Sequence, residues 1–342
     1  MSVLPRHRLV HALLTASLGM PMHLSGQAPP SRTELLVRID DIGMSHAVNQ
    51  ALQELADTRM PLSASVLFVC PWYQEAVEIL KQNPHISVGV HLALNSEWKG
   101  YRWGPILGKE AVPTLVDSVG YFTSSTEQFL ARKYDLGEVE RELTAQVERA
   151  RRSGLKIDYV DYHMGTAVAT PQLRAVVERI AAKYGLGISR YFGETDHTMF
   201  DTPIAEKQAA FEAYLNGLAP GRLNLVVVHV GRATPELAAL VDMNDPTQNT
   251  TAGEPLMAKH RQAELDMLLS PEFARLRAAR SITLLTYADL MQRVGRAGRA
   301  ARTRASSRTR SPSARSPAGR PVPPAPRSRT CGRCRERPPA DA

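Results

Sequence analysis

The 342-residue chain is poor in cysteine, has no long apolar run and lacks the commonest hydrolase motif. Its three cysteines build no framework. Cys70 ends an apolar run and reads as a small buried hydrophobe. Cys331 and Cys334 form a lone CxxC, and a zinc knuckle needs two further ligands that the Pro/Arg-rich surroundings do not supply. No stretch approaches the ~20 consecutive apolar residues of a membrane span. The Gly-x-Ser-x-Gly elbow of a serine hydrolase is absent, which removes the usual nucleophile of that class. A basic core is missing too. The formal charge is +8, but the residues from Gln292 onward hold 14 Arg against Glu336 and Asp341. That excess is larger than the total, so the rest of the chain is mildly acidic and offers no basic face for specific nucleic-acid binding.

What remains is enough for one large domain with a substantial core. Residues 1–30 read as a secretory leader: Arg6 and Arg8, an apolar run from Leu9 to Met20, then small residues around Ser25–Ala28. This favours export over a cytoplasmic extension. Residues 31–293 form the expected catalytic domain. Residues 294–342, rich in Arg, Pro and Ser, lack the apolar side chains to offset ordering entropy and are expected to be disordered, with unspecific polyanion binding at most.

Within the central segment, short apolar runs alternate with amphipathic helical patterns, which is the pattern of βα units and a parallel sheet. Candidate strands are Leu35–Asp40, Ala64–Val69, Ser87–Leu92, Tyr159–His163, Gly187–Tyr191, Leu223–His229 and Ile282–Tyr287. Ser45 and Thr170 are placed to cap helices, and Pro71 and Pro171 to open them; Gly185 is placed to end one. About seven strands with interposed helices predict an α/β parallel (β/α) barrel, incompletely closed; an open doubly wound sheet is the alternative. The aromatic stretch Trp98–Phe129 interrupts the rhythm. It reads as an ordered functional loop whose rings either pack the barrel top or face sugar rings.

Polar residues recur at the C-terminal ends of four candidate strands: Asp40–Asp41, His91, Asp161 with His163, and His229. Alone, each has a bland explanation, since an Asp pair often caps a turn and a single His after a strand is usually a satisfied rim residue. Together they share one register, and in a parallel barrel those ends converge on the rim where active sites sit. Adjacent carboxylates near a low-dielectric core call for a compensating cation or a shared proton. A divalent metal bound by one Asp and two His meets that need and leaves positions open for water and substrate.

The segments Asp40-Asp41-Ile42-Gly43, Gly89-Val90-His91-Leu92-Ala93-Leu94, Val160-Asp161-Tyr162-His163, His229-Val230-Gly231 and His260-Arg261-Gln262-Ala263-Glu264-Leu265 resemble, in order, the motifs of the YdjC-type carbohydrate deacetylases, a family related in fold and chemistry to the NodB-type polysaccharide deacetylases. The resemblance covers about residues 34–291. It implies a metal site of Asp41, His91 and His163, with Asp40 as an unligated general base. Two positions depart from the pattern. Met164, Gly165 and Thr166 replace histidines expected after His163, and Val230 replaces a proline.

The reaction so implied is hydrolysis of the N-acetyl group of an amino sugar, with acetate released. His229 would protonate the departing amine, Asp161 would orient a ligand histidine, and Arg261 and Glu264 would pair at the rim. Two imidazoles favour Zn2+ or another transition metal, while the resemblance is also compatible with Mg2+. The expected partner is an acetylated amino sugar, and self-association, if present, would be a homodimer. A non-haem iron oxygenase uses similar ligands, but on other spacings. A sugar-binding pseudoenzyme would not need Asp40.

Overall fold

The computed structural model describes residues 32–244 and 256–295. The expected leader, and all of the expected tail except Val294 and Gly295, lie outside the described residues, as does the CxxC. In chain order the strands are β1 (Thr33–Ile42), β2 (Ser63–Val66), β3 (Ser87–Leu92), β4 (Trp98–Lys99), β5 (Ile157–Tyr162), β6 (Gly187–Ile188), β7 (Thr195–Thr198), β8 (Leu223–Val228), β9 (Val241–Asp242) and β10 (Ile282–Leu285). The helices are α1 (His46–Asp57), α2 (Tyr73–Gln82), α3 (Thr126–Leu130), α4 (Leu136–Arg152), α5 (Pro171–Tyr184), α6 (Lys207–Gly217), α7 (Pro235–Ala238), α8 (Leu256–Leu269) and α9 (Pro271–Ala279).

The main sheet is parallel throughout, in the order β6-β5-β3-β2-β1-β8-β7. Its edge strands, β6 and β7, are consecutive in the chain, yet no ladder joins them among the described residues. The barrel is therefore incompletely closed, as the strand pattern predicts. Two details differ from the sequence reading. β7, Thr-Asp-His-Thr, has no apolar pattern and is found only in the structure. β10 is not a stave of the barrel: β2 pairs with the C-terminal half of β1, and β10 pairs beside it with Thr33–Leu36 at the N-terminal half. The last strand thus ends away from the rim and does not close it.

The helix signals are largely obeyed. Ser45 accepts from Val48 N and Thr170 from Leu173 N; Pro171 opens α5, and Gly185 ends it in the left-handed region at φ 68°. Pro71 is an exception, because α2 starts two residues later at Tyr73.

Side-chain alternation along the strands sorts the barrel into an outer and an inner set. On β1, Leu35, Val37 and Ile39 join the outer core under the helices, while Leu36 joins Tyr159, Leu225, Val227, Leu285 and Tyr287 inside. The Tyr159 and Tyr287 rings meet at 4.1 Å and plug the interior. Gly89 is needed there, since a Cβ would lie 2.4 Å from the Tyr159 ring. Moving up the same inward positions, apolar residues give way to Arg38 and Asp40 on β1, Ser65 on β2, His91 on β3 and Asp161 on β5. The same inward step brings Val227 to His229 on β8. The site is the polar continuation of the inner core.

Candidate functional site

Alternation should send Asp40 and Asp41 to opposite faces. They share one because β1 loses register between Ile39 and Ile42, and Asp41 adopts φ 62°, a left-handed conformation unusual for a residue with a side chain. Gly43, at φ 83°, completes the turn against α2, where a Cβ would sit 2.8 Å from Tyr73 Cα. The Asp-Asp-Ile-Gly motif is therefore a bulge that brings two successive carboxylates into one cavity.

That cavity measures about 660 Å³ and is lined by Asp40, Asp41, His91, His163 and His229 together. Asp41 Oδ1 lies 3.4 Å from His91 Nε2 and 3.2 Å from His163 Nδ1, and the two nitrogens are 3.3 Å apart. Asp41 Oδ1 is buried and has no hydrogen-bond partner among the described residues. Every other arm of this triangle is held. Arg261 Nη2 donates to Asp41 Oδ2 at 2.6 Å. His91 Nδ1 meets Asp161 Oδ1 at 3.0 Å, and His163 Nε2 meets Glu97 Oε2 at 2.9 Å. A carboxylate behind each imidazole fixes its tautomer and turns the other nitrogen inward.

Asp40 is held differently. Arg38 Nε and Nη2 reach its two oxygens, each at 2.7 Å, and Nε also lies 3.0 Å from Asp161 Oδ2. Arg38 Nη1 donates to Ser189 Oγ, which bonds Tyr287 Oη. Ser65 Oγ completes the layer by donating to Asp161 Oδ2. The backbone N–H of His229 donates to Glu264 Oε2 at 2.6 Å, and Lys207 Nζ meets Glu264 Oε1 at 2.7 Å. Arg261 and Glu264 do not pair with each other as the sequence suggested. One turn apart on α8, they hold the ends of two neighbouring strands, Arg261 the Asp41 carboxylate at the end of β1 and Glu264 the His229 backbone after β8.

Electrostatics follow from this packing. Burial alone would raise the Asp40 carboxyl, but the Arg38 fork outweighs it and brings the pKa down to about 2. Burial likewise opposes ionised Asp41, yet Arg261 and the imidazoles hold it well below the carboxylate range. His91 is desolvated, but Asp161 and Asp40 raise it to about 9; His163 is raised well above its usual value by Glu97 and Asp41 against the same burial penalty. For His229 burial prevails over the nearby carboxylates, and its pKa is lowered.

Four buried carboxylates (Asp40, Asp41, Glu97, Asp161) thus surround two guanidiniums (Arg38, Arg261), leaving two negative charges to balance. Two imidazolium ions or one divalent cation achieve that balance. The geometry fits the cation: three ligands at ~2.0–2.1 Å around a tetrahedral centre lie roughly 3.4 Å apart, close to the observed 3.2–3.4 Å edges.

Glu97 and Arg38 were missed by sequence reasoning. Arg38 was visible in principle, as a lone charge inside an apolar strand two residues before Asp40 and hence on its face. Glu97 stands at the entrance to the aromatic stretch with no periodic signal. In that stretch packing dominates: Trp103, Leu115, Phe122 and Phe129 are core residues, while Trp98, under the Arg261 guanidinium at 5.7 Å, lines the cavity.

An incompletely closed parallel (β/α) barrel with one buried acid–imidazole cluster at its strand ends defines a rim-site enzyme scaffold. A carbohydrate deacetylase of Thermus thermophilus is 34% identical over 235 residues, covering 62% of this chain and 82% of that one. A carbohydrate deacetylase of Listeria monocytogenes is 28% identical over 261 residues, 75% of this chain and 100% of its own. The crystal structure of an Enterococcus faecalis protein named for cellobiose-phosphate cleavage superposes with a TM-score of 0.60 at 25% identity, over 76% of this chain and 99% of that one. The family model described as YdjC-like protein matches residues 34–279. The chain belongs to the YdjC-like family.

Proposed function

We propose that this chain is a carbohydrate deacetylase, an enzyme that hydrolyses the N-acetyl group of an amino sugar with a divalent cation held by Asp41, His91 and His163. The observation that carries this reading is the triangle of converging donor atoms around Asp41 Oδ1, set in a cluster whose buried carboxylates outnumber its guanidiniums by two. The relatives' activity supports it. When bound, such a cation supplies Lewis acidity toward the amide oxygen and lowers the pKa of water toward ~7.

The chain's own residues would do the rest. Asp40, kept ionised and aimed by Arg38, receives a proton as water attacks the carbonyl. His229 enters from β8 as a neutral imidazole, with its backbone fixed by Glu264. A new C–O bond forms, the C–N bond breaks, and the proton taken from water reaches the departing amine through His229. Arg261 prevents Asp41 Oδ2 from competing as a second base, and Glu97 and Asp161 keep the imidazoles turned inward. The donor set favours Zn2+ or another transition metal over Mg2+.

The test is acetate release from a panel of N-acetylated mono- and disaccharides after chelation and after add-back of Zn2+ or Mg2+. Activity should vanish and return with the cation. Turnover that survives chelation in a protein free of metal by elemental analysis would overturn the proposal.

A further inference from the structure

The connection between the two edge strands, β6 and β7, is closely tied to the site. Ser189, at its start, accepts from Arg38, so the loop is tied to the residue that aims Asp40. The next residue, Arg190, has φ 70°, a left-handed backbone that a side chain makes unfavourable. Glu194 holds it there, taking the backbone N–H of Arg190 at 2.9 Å and that of Phe192 at 2.8 Å. The Arg190 guanidinium then lies over the Tyr162 ring at 5.7 Å, and its Nε donates to Asp196 Oδ2 of β7 at 2.8 Å. Arg190, Asp196 and Tyr162 all line the cavity that contains the acid–imidazole cluster.

Stability does not explain the arrangement. The Arg190 and Asp196 side chains are 33% and 40% exposed, and a pair so open to water stabilises little, whereas the left-handed backbone opposes folding. The pair also leaves chemistry unused. Among the described residues only Nε of Arg190 is hydrogen-bonded, so both Nη nitrogens remain as donors beside the second Asp196 oxygen, an acceptor. A fixed fork of donors next to an acceptor complements two neighbouring hydroxyls, each of which gives and takes a hydrogen bond. An anion would meet Arg190 but also its ion-pair partner Asp196, and Asp201 in the lining of the same cavity. The local charge therefore selects a neutral polyol over a phosphate or carboxylate.

We infer that Arg190 and Asp196 form a subsite that reads adjacent ring hydroxyls of the sugar whose acetyl group is removed, or of its neighbour, an assignment that rests on the deacetylase reading above. The subsite fixes where the sugar lies; it takes no part in bond making.

The experiment uses the metal-loaded enzyme and its Arg190→Met and Asp196→Asn variants. The probes are a β-1,4-linked N-acetylglucosamine disaccharide, its monodeoxy analogues, its 6-phosphorylated form and the fully deacetylated disaccharide. Both variants should keep metal content and melting temperature and lose roughly 10–100-fold in kcat/KM, mostly through KM, as expected for a hydrogen bond to a charged group. One deoxy analogue should cost the wild type a similar factor and cost the variants nothing further. Equal kinetics for all three proteins on every sugar would overturn the subsite while leaving the deacetylase reading intact. Preferential, Arg190-dependent binding of the phosphorylated sugar would also overturn it, in favour of an anion site. Calorimetric binding of the deacetylated disaccharide needs no hydrolysis. Binding by the wild type that Arg190→Met abolishes would support the subsite even if no acetate were ever released.

Discussion

Raising the pH from 7 to 9 should tighten cation binding to this cluster about 50-fold through His91 alone. His91 must present a bare Nε2 to a metal, but in the cation-free site Asp161 and Asp40 hold its pKa at about 9. At pH 7 the imidazole is then about 99% protonated, and expelling that proton weakens binding by a factor of about 100, or about 3 kcal/mol at 1.36 kcal/mol per pH unit. His163, also raised, releases a second proton and steepens the dependence. Folding stability of the cation-free protein should run the other way. A raised histidine pKa contributes stability that is fully present below about 6.5 and is lost as the pH climbs through about 9. Calorimetric titration of chelator-stripped enzyme with Zn2+ at several pH values, in two buffers of different ionisation enthalpy, counts the protons displaced. One to two protons should leave per cation between pH 6.5 and 8.5. Affinity that is flat with pH and no proton release would show that the imidazoles are not the ligands.

Other expectations concern single residues. His91→Ala and His163→Ala should each abolish metal retention and acetate release while far-UV circular dichroism is unchanged; full occupancy by elemental analysis in both would remove the ligand assignment. Asp40→Asn should keep the metal and lower kcat by ~10²–10⁴-fold; loss of metal as well would mean that the two aspartates had been given each other's roles. Lys207→Met should destabilise the fold by about 3–5 kcal/mol in urea unfolding, because it strands buried Glu264, and Lys207→Met with Glu264→Gln should recover most of that. A loss under about 1 kcal/mol, the scale of an exposed pair, would contradict the burial argument.

Much of the fold was legible because buried parallel strands announce themselves as apolar runs. Val226–Val227–Val228 or Val88–Gly89–Val90 can be little else in a βα pattern. β7 escaped because Thr195–Thr198 is a partly exposed edge strand with one neighbour, so nothing requires it to be apolar. β10 was legible as a strand but not in its place, since Ile282–Leu285 is equally apolar beside either half of β1. The candidate site residues were visible through their common position at strand ends, which is a property of register. Their partners were not. That Arg261 reaches Asp41, 220 positions away, or that Glu97 backs His163, depends on how helix and loop dock, and single-chain periodicity carries no record of docking.

The bulge at Asp40 and Asp41 has a mechanical consequence. In many sites the spacing between a metal ligand and its base depends on packing between separate elements and loosens when the scaffold breathes. In the proposed site consecutive residues would occupy the two positions, so their Cα atoms are spaced by a single trans peptide, ~3.8 Å, whatever the barrel does. The ruler between the two carboxylate-bearing positions is covalent.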